Sequence, residues 1–166
     1  NGFTVTALSS DGISPAALTS SWSNGIGVDG ANTGWNSTLG YLEGVGSESI
    51  IIKFDVAIEI AVADFGFHSA GHTLAYSFYL AGVEVGSPGS QTQLSIDSTT
   101  NDLQLVAGDG ISFDEIRFTA AENNYYFIRS IEFERDIEVD TYSYQLNVTT
   151  ASTDLDGSQT LCGVRI

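Results

Sequence analysis

The most suggestive chemistry in this 166-residue chain is oxygen-bearing side chains set among glycines. The stretch Ile26-Gly27-Val28-Asp29-Gly30-Ala31-Asn32-Thr33-Gly34-Trp35-Asn36-Ser37-Thr38-Leu39-Gly40-Tyr41-Leu42-Glu43 offers Asp29, Asn32, Asn36 and Glu43 within one turn-rich segment. Calcium takes roughly six to eight oxygens at about 2.3–2.6 Å from carboxylates, amides and backbone carbonyls, and glycines let a chain curl far enough to present them. The spacing is not that of an EF-hand, which needs its closing Glu at the twelfth loop position. A second acidic group is Asp97-Ser98-Thr99-Thr100-Asn101-Asp102, with Asp109 beyond the next apolar run, and a third is Asp154-Leu155-Asp156-Gly157. The Asp-x-Asp-Gly spacing turns the carboxylates of Asp154 and Asp156 to the same side. The competing reading of each group is an ordinary polar turn. Trp35 and Tyr41 belong to the first segment, where aromatic rings on a polar loop can stack on a sugar or clamp a peptide. The plainer alternative for Trp35 is a plug at one end of the fold.

Other chemistries find little support. His68 and His72 would align for zinc only on a helix, and Gly71 within a β-like pattern argues against one. No Gly-x-Ser-x-Gly elbow and no phosphate-cradling glycine loop ahead of a helix occurs. Acid pairs for glycoside hydrolysis are numerous among 21 Asp and Glu, and for that reason carry no information. The expectation is a binding protein, not an enzyme. Cys162 is the single cysteine, so neither an intrachain disulfide nor a cysteine-built zinc site is available.

Charge narrows the partners. Five Lys and Arg against 21 acids leave a formal net charge of −16, which makes the compact state repel itself. Nucleic acid and anionic membranes are disfavoured partners of such a surface. Divalent cations are the natural counterweight, although a high-salt habitat would screen the same charges without any bound metal. No window approaches 18 consecutive apolar residues, so membrane insertion is not expected of this segment. The opening Asn1-Gly2-Phe3 shows neither the charged nor the apolar part of a leader, which reads as an internal piece of a longer chain.

The elements that must position these residues read as strands. Abundant glycine (18), scarce proline (2) and recurrent Val, Ile, Thr and aromatics suit short strands and tight turns. Alternating or short apolar runs lie at 3–8, 49–56, 58–65, 74–80, 94–96, 103–106, 113–118, 125–134, 142–148 and 160–164. Ser10-Asp11-Gly12, Ser23-Asn24-Gly25, Asp29-Gly30, Gly86-Ser87-Pro88-Gly89, Ala107-Gly108-Asp109-Gly110 and Asp156-Gly157 punctuate them as turns. About ten such strands predict an all-β, calcium-stabilised β-sandwich or jelly roll. The one helical candidate is a turn at Ser14-Pro15-Ala16-Ala17-Leu18, where Ser14 could cap and Pro15 suits the first helical position. From Ile131 to Asp140 a face of Ile131, Phe133, Arg135, Ile137 and Val139 alternates with one of Glu132, Glu134, Asp136, Glu138 and Asp140. That column is either a solvated face that discourages edge pairing or, at its Asp140 end, part of an interdomain cation site. A boundary near residue 138 would divide the chain into a ligand-binding domain, 1–138, and a closing hairpin, 139–166. The hairpin either completes the same split domain or begins a following repeat.

Tyr142-Ser143-Tyr144-Gln145-Leu146-Asn147-Val148, followed by Thr153-Asp154-Leu155-Asp156-Gly157-Ser158-Gln159-Thr160-Leu161, resembles the closing strands and Asp-x-Asp-Gly turn of repeats-in-toxin (RTX) adhesin modules. Gly25-Ile26-Gly27-Val28, Ser47-Glu48-Ser49-Ile50-Ile51-Ile52-Lys53-Phe54 and Phe113-Asp114-Glu115-Ile116-Arg117-Phe118 are similar to the calcium-dependent ligand-binding jelly rolls of the same adhesins. The resemblance implies a secreted module on a bacterial cell surface, monomeric within a longer chain, with calcium at Asp154 and Asp156. It implies capture of short peptide or protein ends on a host or biofilm partner. The alternatives are a calcium-dependent lectin-like module for glycans and a structural extender of the adhesin.

Overall fold

The computed structural model describes residues 2–20, 25–29, 38–42, 44–67, 71–92, 102–122, 124–137 and 140–145, with backbone only for 42, 67, 91–92, 135–137 and 140–145. Among these residues the chain is all-β: thirteen strands and no helix. In chain order they are β1 (Phe3–Leu8), β2 (Pro15–Ser20), β3 (Ile26–Asp29), β4 (Leu39–Leu42), β5 (Gly46–Ser47), β6 (Ser49–Ile58), β7 (Ala61–Phe67), β8 (Thr73–Leu80), β9 (Val83–Thr92), β10 (Asp102–Leu105), β11 (Phe113–Ala120), β12 (Tyr125–Ile137) and β13 (Asp140–Gln145). The expected runs at 94–96 and 160–164 lie outside the described residues.

Hydrogen bonding links the strands into one large antiparallel sheet in the order β10-β7-β12-β3-β2-β1-β6-β11-β8-β9, with β4 and β13 also on β12 and β5 on β4. β2 joins the two arms of this path. Its first residues pair with β1 (Ala7↔Ala16, Leu8↔Pro15) and its remainder with β3 (Ala17↔Asp29 to Ser20↔Ile26). Where a helical turn is expected at Ser14–Leu18, the chain instead enters a strand at Pro15. Ala16 and Leu18 alternate inward against the core, which a period of two satisfies and a single helical turn would not. Pro15, lacking an N–H, opens the strand, a position where the ladder tolerates it. Asp11 fixes the preceding turn: its Oδ1 accepts from the Ile13 and Ser14 amides at 2.9 and 2.8 Å, and the Ser9 hydroxyl donates to the same oxygen at 2.7 Å.

Aromatic rings bring the arms together. Phe133 of β12 lies edge-on to Phe54 of β6 and Phe3 of β1, with centroids 4.7 and 5.7 Å apart, and Phe65 of β7 meets Phe118 of β11 at 5.6 Å. Buried Ile50, Ile52, Leu74, Phe78, Leu105, Phe113, Ile116 and Ile128 complete a single apolar cluster. Tyr126 takes a hydroxyl into it and donates to the Thr119 carbonyl at 2.9 Å, a polar tie from β12 to β11. The ends of the path also meet, since the Ser87 amide of β9 donates to the Ala107 carbonyl just past β10 at 3.0 Å.

Gly86-Ser87-Pro88-Gly89, expected as a turn, runs inside β9. This is an outermost strand with a register shift opposite Tyr76 and Phe78, where proline and glycine interrupt no inner ladder. Gly86 has φ of +65°, and a Cβ there would fall 1.9 Å from the Ala107 carbonyl oxygen. The expected turns at Ser10–Gly12 and Ala107–Gly110 are present. In the acidic column, Ile131 and Phe133 are buried and Glu132 and Glu134 exposed. β13 folds back on β12 from Ile137↔Asp140 to Glu132↔Gln145.

Candidate functional site

The glycine-rich segment is held at both ends. β3 leads into it and β4 leads out, and the Val28 amide donates to the Thr38 carbonyl at 3.2 Å, a neck that joins the two strands. Beneath the neck Glu48 is almost wholly buried, at 1% exposure. Its Oε2 accepts from the Gly40 amide at 2.9 Å, while its own amide donates to the Gly40 carbonyl at 3.0 Å. A carboxylate is brought into an interior only when hydrogen bonds replace its water, and the Gly40 amide is one of these. Asp29, the last residue of β3, is exposed at the neck. Asn32, Trp35, Asn36 and Glu43 lie outside the described residues. Tyr41 does not stand on a loop. It belongs to β4, pairs with Ser47 and packs half-buried against the core, because the β4–β5 hairpin continues the sheet through it.

The second acidic group acquires a partner that its sequence neighbourhood does not reveal. Asp102, exposed at the start of β10, lies directly opposite Asp64 of β7. Buried Ala63 and Phe65 flank Asp64, so alternation sends its side chain to the outer face. Like charges directly opposite across a ladder repel. Arg129 of β12 relieves part of this: its Nη2 donates to Asp64 Oδ1 at 2.9 Å and to the Phe65 carbonyl at 2.6 Å. Arg129 sits where the β12–β7 register slips between Ile128 and Ser130, a bulge that swings the side chain toward Asp64. Its Nε is buried without a hydrogen bond. Asp109 is exposed in the turn beyond β10. Asp97, Asp154 and Asp156 lie outside the described residues.

Among the described residues no group of three or more His, Cys, Asp and Glu is placed to hold a metal ion. His72 Nδ1 faces the Tyr125 carbonyl oxygen at 2.9 Å and the Tyr125 amide nitrogen at 3.2 Å; His68 lies outside the described residues.

Both arginines with described side chains are paired with carboxylates. Arg117 of β11 donates from Nε to Glu115 Oε1 at 2.6 Å, and its guanidinium carbon lies 4.0 Å from the centre of the Tyr79 ring. Sequence reading missed Asp64, Arg129, Arg117 and Tyr79 because strand register, not local spacing, brings them together. The only local sign was that each occupies an outward position in an alternating run.

No family model matches the chain, and no curated protein or solved structure matches it either.

Proposed function

We propose that the chain is a calcium-dependent adhesion module of the RTX type, acting outside the cell, and that its two-armed sheet is a β-sandwich of jelly-roll character. Its ligands on this reading are short peptide or protein ends on a partner surface. The observation that carries the reading is the clamped neck. A stretch of sequence rich in glycine and side-chain oxygens connects two strands whose facing ends are hydrogen-bonded, with Asp29 exposed at the end of β3 and the Glu48 carboxylate bound to the Gly40 amide of β4. With the flanking strand ends already joined, the closure part of the ordering cost is met before a hard cation gathers oxygens from the intervening sequence. The net charge of −16 and the Asp102–Asp64 opposition add two reasons for the molecule to take up divalent cations. A loop-bound cation would also let an acidic protein accept the carboxylate of a peptide end.

The test is to probe the calcium-loaded protein on peptide and glycan arrays, then repeat with chelator. Peptide hits that vanish with chelator are expected. Glycan hits would replace the peptide reading with a lectin-like one, and silence on both arrays would leave only a structural extender.

A further inference from the structure

The outer face of β6, β11 and β8 carries a second feature that points to a ligand. Register places Lys53, Glu115 and Tyr79 in one cross-strand row and Ile51, Arg117 and Ser77 in the next. The neighbouring Ile50, Ile52, Ile116 and Phe78 are all buried, which puts these two rows on the side away from the core. Arg117 is constrained on two sides: Glu115, itself nearly buried, takes Nε, and the Tyr79 ring lies against the guanidinium plane. Nη1 and Nη2 have no hydrogen-bonding partner among the described residues, and the side chain is 36% exposed. An arginine fixed at its Nε edge and on one face, with its Nη edge open, is a planar fork of the right shape for the two oxygens of one carboxylate. Because the fork is already oriented, ordering it on binding costs little.

We propose that this face binds a single carboxylate, that of a peptide C-terminus, with Arg117 as its anchor. The source of the carboxylate rests on the peptide-end reading above; the site itself does not. Charge favours a lone carboxylate over a polyanion. Asp55 and Glu84 stand on the same face, and a net −16 repels a chain of uronates or phosphates far more than one charge. Lys53, exposed and diagonal to Arg117, adds a second cation to this face. Half-buried Ile51, directly opposite Arg117, offers apolar contact to the last side chain of the peptide.

The probe is acetyl-glycyl-alanyl-leucine as the free acid, titrated into the whole chain against its C-terminal amide, with Tyr79 ring resonances read by NMR. The free acid is expected to give a saturable shift and the amide none. Arg117→Gln should abolish saturation. Arg117→Lys, which keeps the charge and loses the fork, should weaken binding by about tenfold. Circular-dichroism melting of both variants checks that the fold is kept. Equal binding of acid and amide, or unchanged binding in Arg117→Lys, overturns the proposal, as does preference for an oligo-uronate over the peptide. Repeating the titration with chelator separates the two readings. Binding that survives chelation but requires Arg117 supports this site and removes calcium from peptide capture. Binding that needs calcium and ignores Arg117→Gln overturns this site alone.

Discussion

Tyr126 shows how a polar atom is carried into an apolar core. Its ring packs edge-on to Phe65 at 5.9 Å while the hydroxyl finds the Thr119 carbonyl. Burial pushes its ionisation well above the ordinary 10.0 and keeps it a donor. Tyr126→Phe should lower stability by about 1 kcal/mol in urea unfolding, the net value of a typical hydrogen bond. The sign of the linkage follows from the raised value. The folded state holds the proton more tightly than the unfolded one, so this contribution is complete below about pH 10 and is lost as pH rises beyond it. Alkaline unfolding should therefore be shallower in Tyr126→Phe. Asp11 behaves oppositely. The Ser14 hydroxyl, the Ile13 and Ser14 amides and the Ser9 hydroxyl hold its carboxyl far below the usual range, so the turn keeps this support above about pH 4 and loses it as pH falls. The protection of the Ile13 and Ser14 amides, read as exchange relative to the intrinsic rate at the same pH, should fall at low pH, and in Asp11→Ala at every pH.

Strand packing on the outer face depends on missing side chains as much as present ones. Phe127 points away from the core between Tyr126 and Ile128, yet it is only 8% exposed. Its ring occupies the space where Gly25 and Gly66 would carry a Cβ, which would fall 2.2 and 2.0 Å from ring atoms. Gly66→Ala should destabilise by about 1–3 kcal/mol in thermal or urea unfolding through this overpacking. Phe127→Leu in the same chain should recover part of the loss, a coupling that a double-mutant cycle measures. Eight of the ten strands expected from alternation fall on observed strands, with ends shifted by a few residues, because the period-two pattern is local. β2 was mistaken for a helical turn because Ser-Pro-Ala-Ala-Leu satisfies local helix rules, and only pairing with β1 and β3 overrides them. β9 was hidden by Gly86 and Pro88, which end an inner strand but are tolerated on an outer one. The neck was half legible: glycine and oxygen density drew attention to the stretch between β3 and β4, while the Val28–Thr38 closure and the burial of Glu48 arise from contacts across the sheet. The opposition of Asp64 and Asp102 was not legible at all, since 38 residues separate two acids that only register aligns.

For the molecule as a whole, a surplus of negative charge must be offset for a sheet of this size to stay closed on its core. Raising monovalent salt at fixed pH should raise the melting midpoint by screening, and it should do so without saturation at low concentration. Specific calcium binding differs: it saturates, and it stabilises by mass action on the folded state alone, by about 2.7 kcal/mol when free calcium is about a hundredfold above Kd. Asp29→Asn should weaken that calcium-dependent gain while leaving the monovalent-salt response in place. The most direct measurement is thermal melting at constant ionic strength with calcium, with magnesium and with chelator. The account predicts a saturable rise in midpoint with calcium, a smaller one with magnesium, and reversal by chelator. Identical midpoints under all three conditions would contradict it.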